Sequence, residues 1–387
     1  MLDDFPSASS ESGYFKSSEL SPKYDPTAIG LAFSGGGYRA TLFHAGALLR
    51  LNELGILGRA QRITSVSGGS IATGILAMNW DLMSWDSGRA SHDQMIDHFI
   101  KPVLAATSTS VDIMTTLKGL IPGISGGNAL ARAYDRHIFH DRKLSTITKK
   151  TRFIFCAMNL QTGGLTRFNH HYVADWRAFR STTKTIKLST AVAASSAFPP
   201  ILAPVRLDLS GEDVSCPAGA RYTDPALQTA PVLVDGGTYD NIGLEPIWKR
   251  CGILIAANAG QNIPSLHKQF QWWPGMMMRI INSFLDVSVD WRERSLINLY
   301  RNMLRDGLPE RRGAYWSIAT DPDDLEWTGY KASDAMLQIA RDMDTRLKRF
   351  EPEVQRAAIL AGYSYADGTV RKYLMPNAPA PSEPVLP

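Results

Sequence analysis

The sequence predicts an α/β fold with a mostly parallel central sheet, helices on both faces and a helical cap insertion. Two observations carry this. Short β-branched runs end in small residues and lead straight into segments of helical period, near residues 27–54 and again near 63–80. A strand–loop–helix–strand–turn–helix order of this kind joins parallel strands through helices that cover the sheet faces. A third observation, the length of 387 residues, allows one large α/β domain as readily as two or three smaller ones.

The elements follow in order. Residues 1–25 are rich in Ser, Glu, Asp and Pro and are expected to form a flexible arm. Thr27–Phe33 reads as a buried strand that runs into glycines. Between Arg39 and Leu54 the apolar residues Ala40, Phe43, Ala47, Leu51 and Leu54 recur at three- and four-residue spacing, which is helical, and Gly55 closes that helix. Ile63–Val66 is the next strand and Gly69–Trp80 the next helix. Residues 84–150 carry helical signals with polar breaks and read as the cap insertion. Arg152–Ala157 returns to the core sheet. Thr185–Leu188 is a short strand before a helix at Ser189–Ser196, which stops at Pro199-Pro200. Residues 201–230 read as a β excursion with turns, and Val232–Val234 and Ile253–Ala257 complete the core sheet. Residues 265–305 are helical, Ala314–Ile318 is a strand, and Lys331–Gly362 holds two more helices. The Pro-rich residues 376–387 are incompatible with helix or sheet and are expected to be a disordered tail, which leaves one domain over 26–375.

Hydrophobic residues make up 44% and charged residues 20%, ordinary values for a soluble globular protein. The net charge of +4 suits an anionic membrane surface, whereas no dense Lys/Arg run points to nucleic acid; Lys149-Lys150-Thr151-Arg152 stands alone. The three cysteines, Cys156, Cys216 and Cys251, are odd in number and far apart. That pattern suits a reducing compartment rather than a disulfide framework or a zinc site. The acidic N-terminus lacks the apolar core of a secretory signal, and no apolar run reaches the length of a spanning helix. The expectation is a cytoplasmic protein that meets lipid, if at all, peripherally.

Three motifs carry chemistry. Ser67 lies in Ile63-Thr64-Ser65-Val66-Ser67-Gly68-Gly69-Ser70, a pattern that presents a serine at the tip of a strand–turn–helix. Crowding in such a turn demands small residues on both sides, and Ser65 and Gly69 meet that demand in an S-x-S-x-G variant of G-x-S-x-G. A helix N-cap serine is the plainer reading. Gly35-Gly36-Gly37, between a strand and a helix, lets backbone N–H groups converge on a phosphate or a tetrahedral oxyanion. The phosphate reading lacks both the Lys-Ser/Thr of a P-loop and the glycine spacing of a dinucleotide loop. Arg39 places a cation beside this loop, to hold a substrate phosphate or to brace the loop. Asp235 ends an apolar strand and precedes two glycines. A partly buried carboxylate has a raised pKa and acts as a base, while a turn aspartate is the plainer reading. No histidine follows Asp235 in a strand-end turn. His267 is the only one after it, in a polar helical start, and His44 reads as a packed core residue. A Ser–Asp dyad is therefore more economical than a triad.

In their order and separations these motifs resemble those of the patatin-like phospholipase family, over roughly residues 27–375. Ala194-Ser195-Ser196-Ala197-Phe198-Pro199-Pro200 is similar to the family's small-residue segment before proline. The Gly-Gly-Gly-x-Arg-Ala form and the non-glycine before the serine resemble the cytosolic phospholipase A2 branch, while size and the lack of a C2-like module place the chain with bacterial-type members. The resemblance implies a three-layer patatin-like fold, with residues 26–375 as the catalytic domain. It implies Ser67 as acyl-accepting nucleophile and Asp235 as the base acting directly on it. The backbone of Gly35, Gly36 and Gly37 would form the oxyanion hole, supported by Arg39 and Gly68. The implied substrate is the acyl ester of a phospholipid or lysophospholipid, with no cofactor and no metal. The implied partner is a phospholipid membrane surface or lipid substrate rather than nucleic acid, with an activator or a homo-oligomer left open.

Two segments compete as lipid contacts. Residues 268–289 combine paired tryptophans with three methionines and are expected to pack on the core, as Met and aromatic stripes usually do. Leu117-Lys118-Gly119-Leu120-Ile121-Pro122 in the cap is the rival contact or lid. The alternatives to a lipid acyl hydrolase are an α/β-hydrolase-type carboxylesterase, which needs His267, and a non-catalytic lipid- or protein-binding module, which tolerates Ser67→Ala. A nucleotide switch on the glycine loop is disfavoured by the missing lysine.

Overall fold

A run of small and apolar residues with no charge between Thr27 and Tyr38 makes a strand that is buried on both faces, and this strand, β1 (Asp25–Phe33), lies in the interior of the sheet. The computed structural model describes residues 24–111, 125–200, 202–260, 265, 272–302, 310–325, 327 and 329–387. Residues 1–23 of the expected N-terminal arm and Leu117–Pro122 lie outside the described residues, while Asp25, given to the arm, opens β1 opposite Cys251.

Further strands are β2 (Arg62–Ser65), β3 (Arg152–Asn159), β4 (Gly164–Phe168), β5 (Val173–Asp175), β6 (Phe179–Ser181), β7 (Val205–Arg206), β8 (Val214–Ser215), β9 (Val232–Asp235), β10 (Cys251–Asn258) and β11 (Arg312–Ser317). Their order is β11-β10-β1-β2-β3-β4-β5-β6-β8, with β9 paired to β3 and β7. The five strands from β11 to β3 are parallel, and the strands beyond β3 pair antiparallel. The sheet is thus mixed rather than mostly parallel. The reason is local: short turns after β3, β4 and β5 permit only hairpin-like returns, because a parallel return needs a crossover. Val232–Val234 joins the core sheet as expected, but antiparallel to β3.

Alternate residues of β1 and β10 divide two cores, as the two-residue period of a strand requires. Leu31, Phe33, Ile255 and Ala257 face the larger core, while Ala32, Leu254 and Ala256 face the smaller one. Helices cover both faces. The larger core takes α1 (Gly37–Glu53), α2 (Gly68–Asn79), α3 (Leu188–Ser196) and, further along the chain, α5 (Pro352–Tyr373). The smaller takes Val289 and Leu296 of α4 (Trp273–Arg301). The described part of residues 84–150 is helical as expected. Phe99, Ile100, Val103, Leu130 and Phe139 share the core of Ile71 and Ile75, so this insertion thickens the helical layer.

The pairing of α1 with α5 rests on glycine. A Cβ on Gly46 would lie 1.8 Å from the Ile359 carbonyl oxygen, and one on Gly362 would lie 1.8 Å from that of Phe43, so the two backbones touch. Arg50 secures the crossing through Asp367 of α5 at 2.7 Å, and Glu53, held by Arg50 within α1 at 2.8 Å, accepts from the Tyr363 hydroxyl of α5. Two expectations are corrected. Thr185–Leu188 is no strand: only a lone bridge joins Lys187 to Lys143, and α3 begins at Leu188. The tail, expected to be disordered, does lack helix and sheet but lies against the body. The Pro379 carbonyl accepts from Arg50 at 3.0 Å, the Pro381 carbonyl accepts from the Tyr330 N–H at 3.0 Å, and Glu383 pairs with Arg356 at 2.7 Å. Proline excludes regular structure but leaves the carbonyls free to accept, and a prefixed chain loses less entropy on docking.

Candidate active site

Two strands that run towards each other build the site. On one edge of β3, β2 pairs with residues 152–155, ending with Ser65 opposite Phe155. On the same edge β9 pairs with Ala157–Asn159 in the opposite direction, ending with Asp235 opposite Ala157. Both strands therefore stop on either side of Cys156, and the turns that leave them face each other. The space is tight enough that a Cβ on Gly236 would lie 2.2 Å from the Cys156 carbonyl oxygen.

Ser67 occupies the first turn, between β2 and α2, with φ 49° and ψ −118°. A residue with a Cβ is strained there by about 1–3 kcal/mol, and such strain persists only where the surroundings impose it. The surroundings here are close backbone contacts. A Cβ on Gly68 would lie 2.0 Å from the Gly37 carbonyl oxygen, and one on Gly69 would lie 2.6 Å from that of Phe33. The Ser67 N–H donates to Ser195 at the C-terminal end of α3, to its carbonyl at 3.1 Å and to its Oγ at 3.0 Å. Ser65, where the usual motif has glycine, is buried and accepts from Ser70 Oγ at 3.0 Å and Thr73 Oγ1 at 2.7 Å. A hydroxyl is tolerated at that position because it is satisfied by the first turns of α2.

Asp235 is 3% exposed. Its carboxylate accepts from the Gly237 N–H at 2.7 Å and lies beside the Ser67 side chain. Burial pushes its pKa up to about 7, against the opposing pull of the Gly237 N–H and the Ser67 side chain. The same α3 terminus that holds Ser67 also holds this turn: the Asp235 N–H donates to the Ala197 carbonyl at 2.9 Å and the Gly236 N–H to that of Ser195 at 3.3 Å.

The glycine loop packs on Ser67, since a Cβ on Gly35 would lie 3.2 Å from Ser67 Cβ. Gly36 (φ 137°) and Gly37 (φ 58°) adopt conformations that favour glycine. The three glycines are not equivalent. The Gly35 N–H donates to the Asn241 carbonyl at 3.1 Å, which corrects its expected place in an oxyanion hole. Among the described residues the N–H groups of Gly36, Gly37 and Gly68 have no acceptor. Gly35 is excluded as a donor but required as a spacer, because a Cβ there would meet Asn241 Oδ1 at 2.5 Å.

Arg39 is fully buried. Its Nε and Nη2 donate to the Ala259 carbonyl at 3.0 and 2.7 Å, and its Nη1 to that of Met343 at 3.0 Å. Burial lowers its pKa to about 10. Of the two roles weighed for Arg39, holding a substrate phosphate is set aside: the fork is spent on carbonyls, and it braces the start of α1. His44 is a packed residue, with its ring edge-on to Phe33 and Phe43 and its pKa lowered to about 3 by burial. His267 lies outside the described residues.

Three residues to which the sequence assigned no part in the site also contribute. Ser195 ties both turns together, and its signal was the small-residue run before Pro199. Asn241 fixes Gly35. Asp240 is buried, accepts from the N–H groups of Ile242, Gly243 and Glu245, and pairs with Arg292 of α4 at 2.8 Å. Among the described residues no group of three or more His, Cys, Asp or Glu side chains is placed to hold a metal.

The patatin-like phospholipase model matches residues 31–248, more than half of the chain. The chain belongs to the patatin-like phospholipase family. The matched span contains the glycine loop, the serine turn, α3 and the Asp235 turn of this patatin-like protein. Lysophospholipase 2 of Candida albicans is 50% identical over 70 residues, which is 16% of this chain and 11% of that protein. The chain therefore matches only a small part of that relative's length. The fold is similar to that of human GIVD cytosolic phospholipase A2, with a TM-score of 0.53 and 13% identity over 89% of this chain and 59% of that one. In complex with methyl γ-linolenyl fluorophosphonate, the human protein gives a TM-score of 0.50 at 13% identity, over 89% of this chain and 58% of that one. At such identity the likeness is one of fold.

Proposed function

We propose that this patatin-like protein hydrolyses fatty-acyl esters of phospholipids or lysophospholipids through a Ser67–Asp235 dyad and an acyl-enzyme. The observation that carries this reading is the meeting of the Ser67 and Asp235 turns on either side of Cys156 along one β3 edge, which sets the serine beside a buried carboxylate whose pKa burial raises to about 7. A serine hydroxyl becomes a useful nucleophile only when a positioned base takes its proton, and a base is most effective with a pKa near the working pH. Ionised Asp235 takes the proton as Ser67 Oγ attacks the ester carbonyl. The oxyanion that forms meets the free N–H groups at Gly36, Gly37 and Gly68. The tetrahedral adduct collapses, the C–O bond to the glycerol oxygen breaks, and Asp235 returns the proton to that leaving oxygen. In the second half water gives its proton to Asp235, attacks the acyl-serine, and the fatty acid departs as the proton returns to Ser67.

The experiment is fatty-acid release from mixed phospholipid vesicles by the wild type, Ser67→Ala, Asp235→Ala and His267→Ala. Release by the wild type and by His267→Ala, with loss in the other two, supports the dyad. Release that survives Ser67→Ala refutes it, and loss in His267→Ala favours the triad of a carboxylesterase.

A further inference from the structure

We infer that the outward face of α4 is the surface that seats this protein on an anionic lipid bilayer. The inference rests on the lipid-hydrolase reading, which requires the site to reach acyl chains held in an aggregate. The segment was expected to pack on the core, and the structure places it otherwise. Of the 29 residues of α4, only Val289 and Leu296 are buried. Trp273, Met277, Ile280, Phe284, Val287 and Trp291 recur every three or four positions and form one stripe, about 27 Å long at helical rise. Every one of them is exposed, Trp273 to 70% and Phe284 to 71%. Exposed apolar patches of this extent mark interaction surfaces.

Charge and composition select the occupant. From Trp272 to Leu285 the only charged residue is the cation Arg279. At 100° per residue the acids Asp286 and Glu293 fall on the side away from the stripe, as does Arg279, while Asp290 falls on its flank and Arg294, paired with Asp290 at 3.9 Å, at its edge. Glu293 is occupied by the Tyr315 hydroxyl at 3.0 Å. An apolar stripe with tryptophan at both ends and no acid along its first half, on a chain of net charge +4, fits the headgroup–acyl boundary of an anionic bilayer, where tryptophan is favoured. The stripe is also continuous with the candidate site. One residue past Trp291, Arg292 turns inward to Asp240 at 2.8 Å and to the Tyr239 carbonyl at 2.8 Å, on the turn that follows Asp235. The docking face and the catalytic turn are thereby held in one frame.

The test is co-sedimentation of the full chain, in a Ser67→Ala background that leaves the vesicles intact, with phosphatidylcholine vesicles containing or lacking phosphatidylglycerol. Binding is expected to be stronger with phosphatidylglycerol. The double substitution Trp273→Ala/Phe284→Ser should lower it at least tenfold or so, as expected for removing two buried rings. Asn282→Ala, opposite the stripe, should leave it unchanged, and an unaltered thermal midpoint shows that the double variant is folded. Binding unaffected by the double substitution overturns the inference. So does failure to pellet together with self-association that the same substitution abolishes, which would assign the face to a second copy of the chain. Vesicle binding without fatty-acid release from the wild type leaves the docking surface standing and refutes the lipid-hydrolase reading instead.

Discussion

Replacing Asp235 by asparagine tests the site through stability as well as through activity. The carboxyl titrates near 3.8 in an unfolded chain and at about 7 in the folded protein, where burial opposes its ionisation. Its folded pKa is raised, so between these two values the native state holds a proton that the unfolded state has released. Stability therefore falls as pH rises from about 4 to about 7, and it is flat above that range because both states are then ionised. At about 1.4 kcal/mol per pH unit the gap is worth about 4 kcal/mol at alkaline pH. Asparagine resembles the protonated acid and carries no such burden. Asp235→Asn should match the wild type near pH 4 and exceed it by up to about 4 kcal/mol near pH 8, as measured by urea denaturation across that range. The same variant should be inactive, and wild-type kcat/KM on a soluble short-chain ester should rise with pH through a midpoint near 7. A stability difference independent of pH, or an activity midpoint near that of an ordinary carboxyl, would refute the argument that burial tunes this base.

Three further predictions concern the supports. Ser67→Gly removes a Cβ from a conformation that favours glycine, so it should be about 1 kcal/mol more stable than Ser67→Ala in thermal denaturation, with both inactive. Gly68→Ala directs a Cβ to within 2.0 Å of the Gly37 carbonyl oxygen. It should cost at least about 2 kcal/mol and depress kcat more than it raises KM, because it shifts the glycine loop against Ser67. Arg39→Met strips the buried Ala259 and Met343 carbonyls of their donors and should cost about 3 kcal/mol; Arg39→Lys should recover only part of that, lacking the planar fork. If lysine restores full stability in urea denaturation, the bracing role assigned to the guanidinium is wrong.

Much of the site was legible because its chemistry is local. Ser67 sits where β-branched residues give way to small ones, and that change of residue type is itself the requirement of a sharp turn. Asp235 stands at the end of Val232–Val234 for a similar reason, since the glycines after it admit the backbone crossing at Cys156. The succession of strand and helix from β1 to α2 was legible for the same reason: periodicity and glycine are properties of neighbours along the chain. Which of the two roles Arg39 takes was not, because its partners Ala259 and Met343 lie more than two hundred residues away.

The sequence by itself determined that a serine turn, a glycine loop and an Asp-Gly-Gly turn exist, and that each closes a strand. Only the tertiary structure decided that β2 and β9 approach from opposite ends of one β3 edge, which is what brings the Ser67 and Asp235 turns face to face. It also decided that Gly35 spends its N–H on Asn241, that the terminal prolines lie against Arg50 and Tyr330, and that the stripe of α4 faces outward. Strand direction, the choice of hydrogen-bond acceptor and the exposure of a helix face depend on which distant segments arrive beside them. An apolar stripe reads the same along the chain whether a core or a solvent-facing surface meets it.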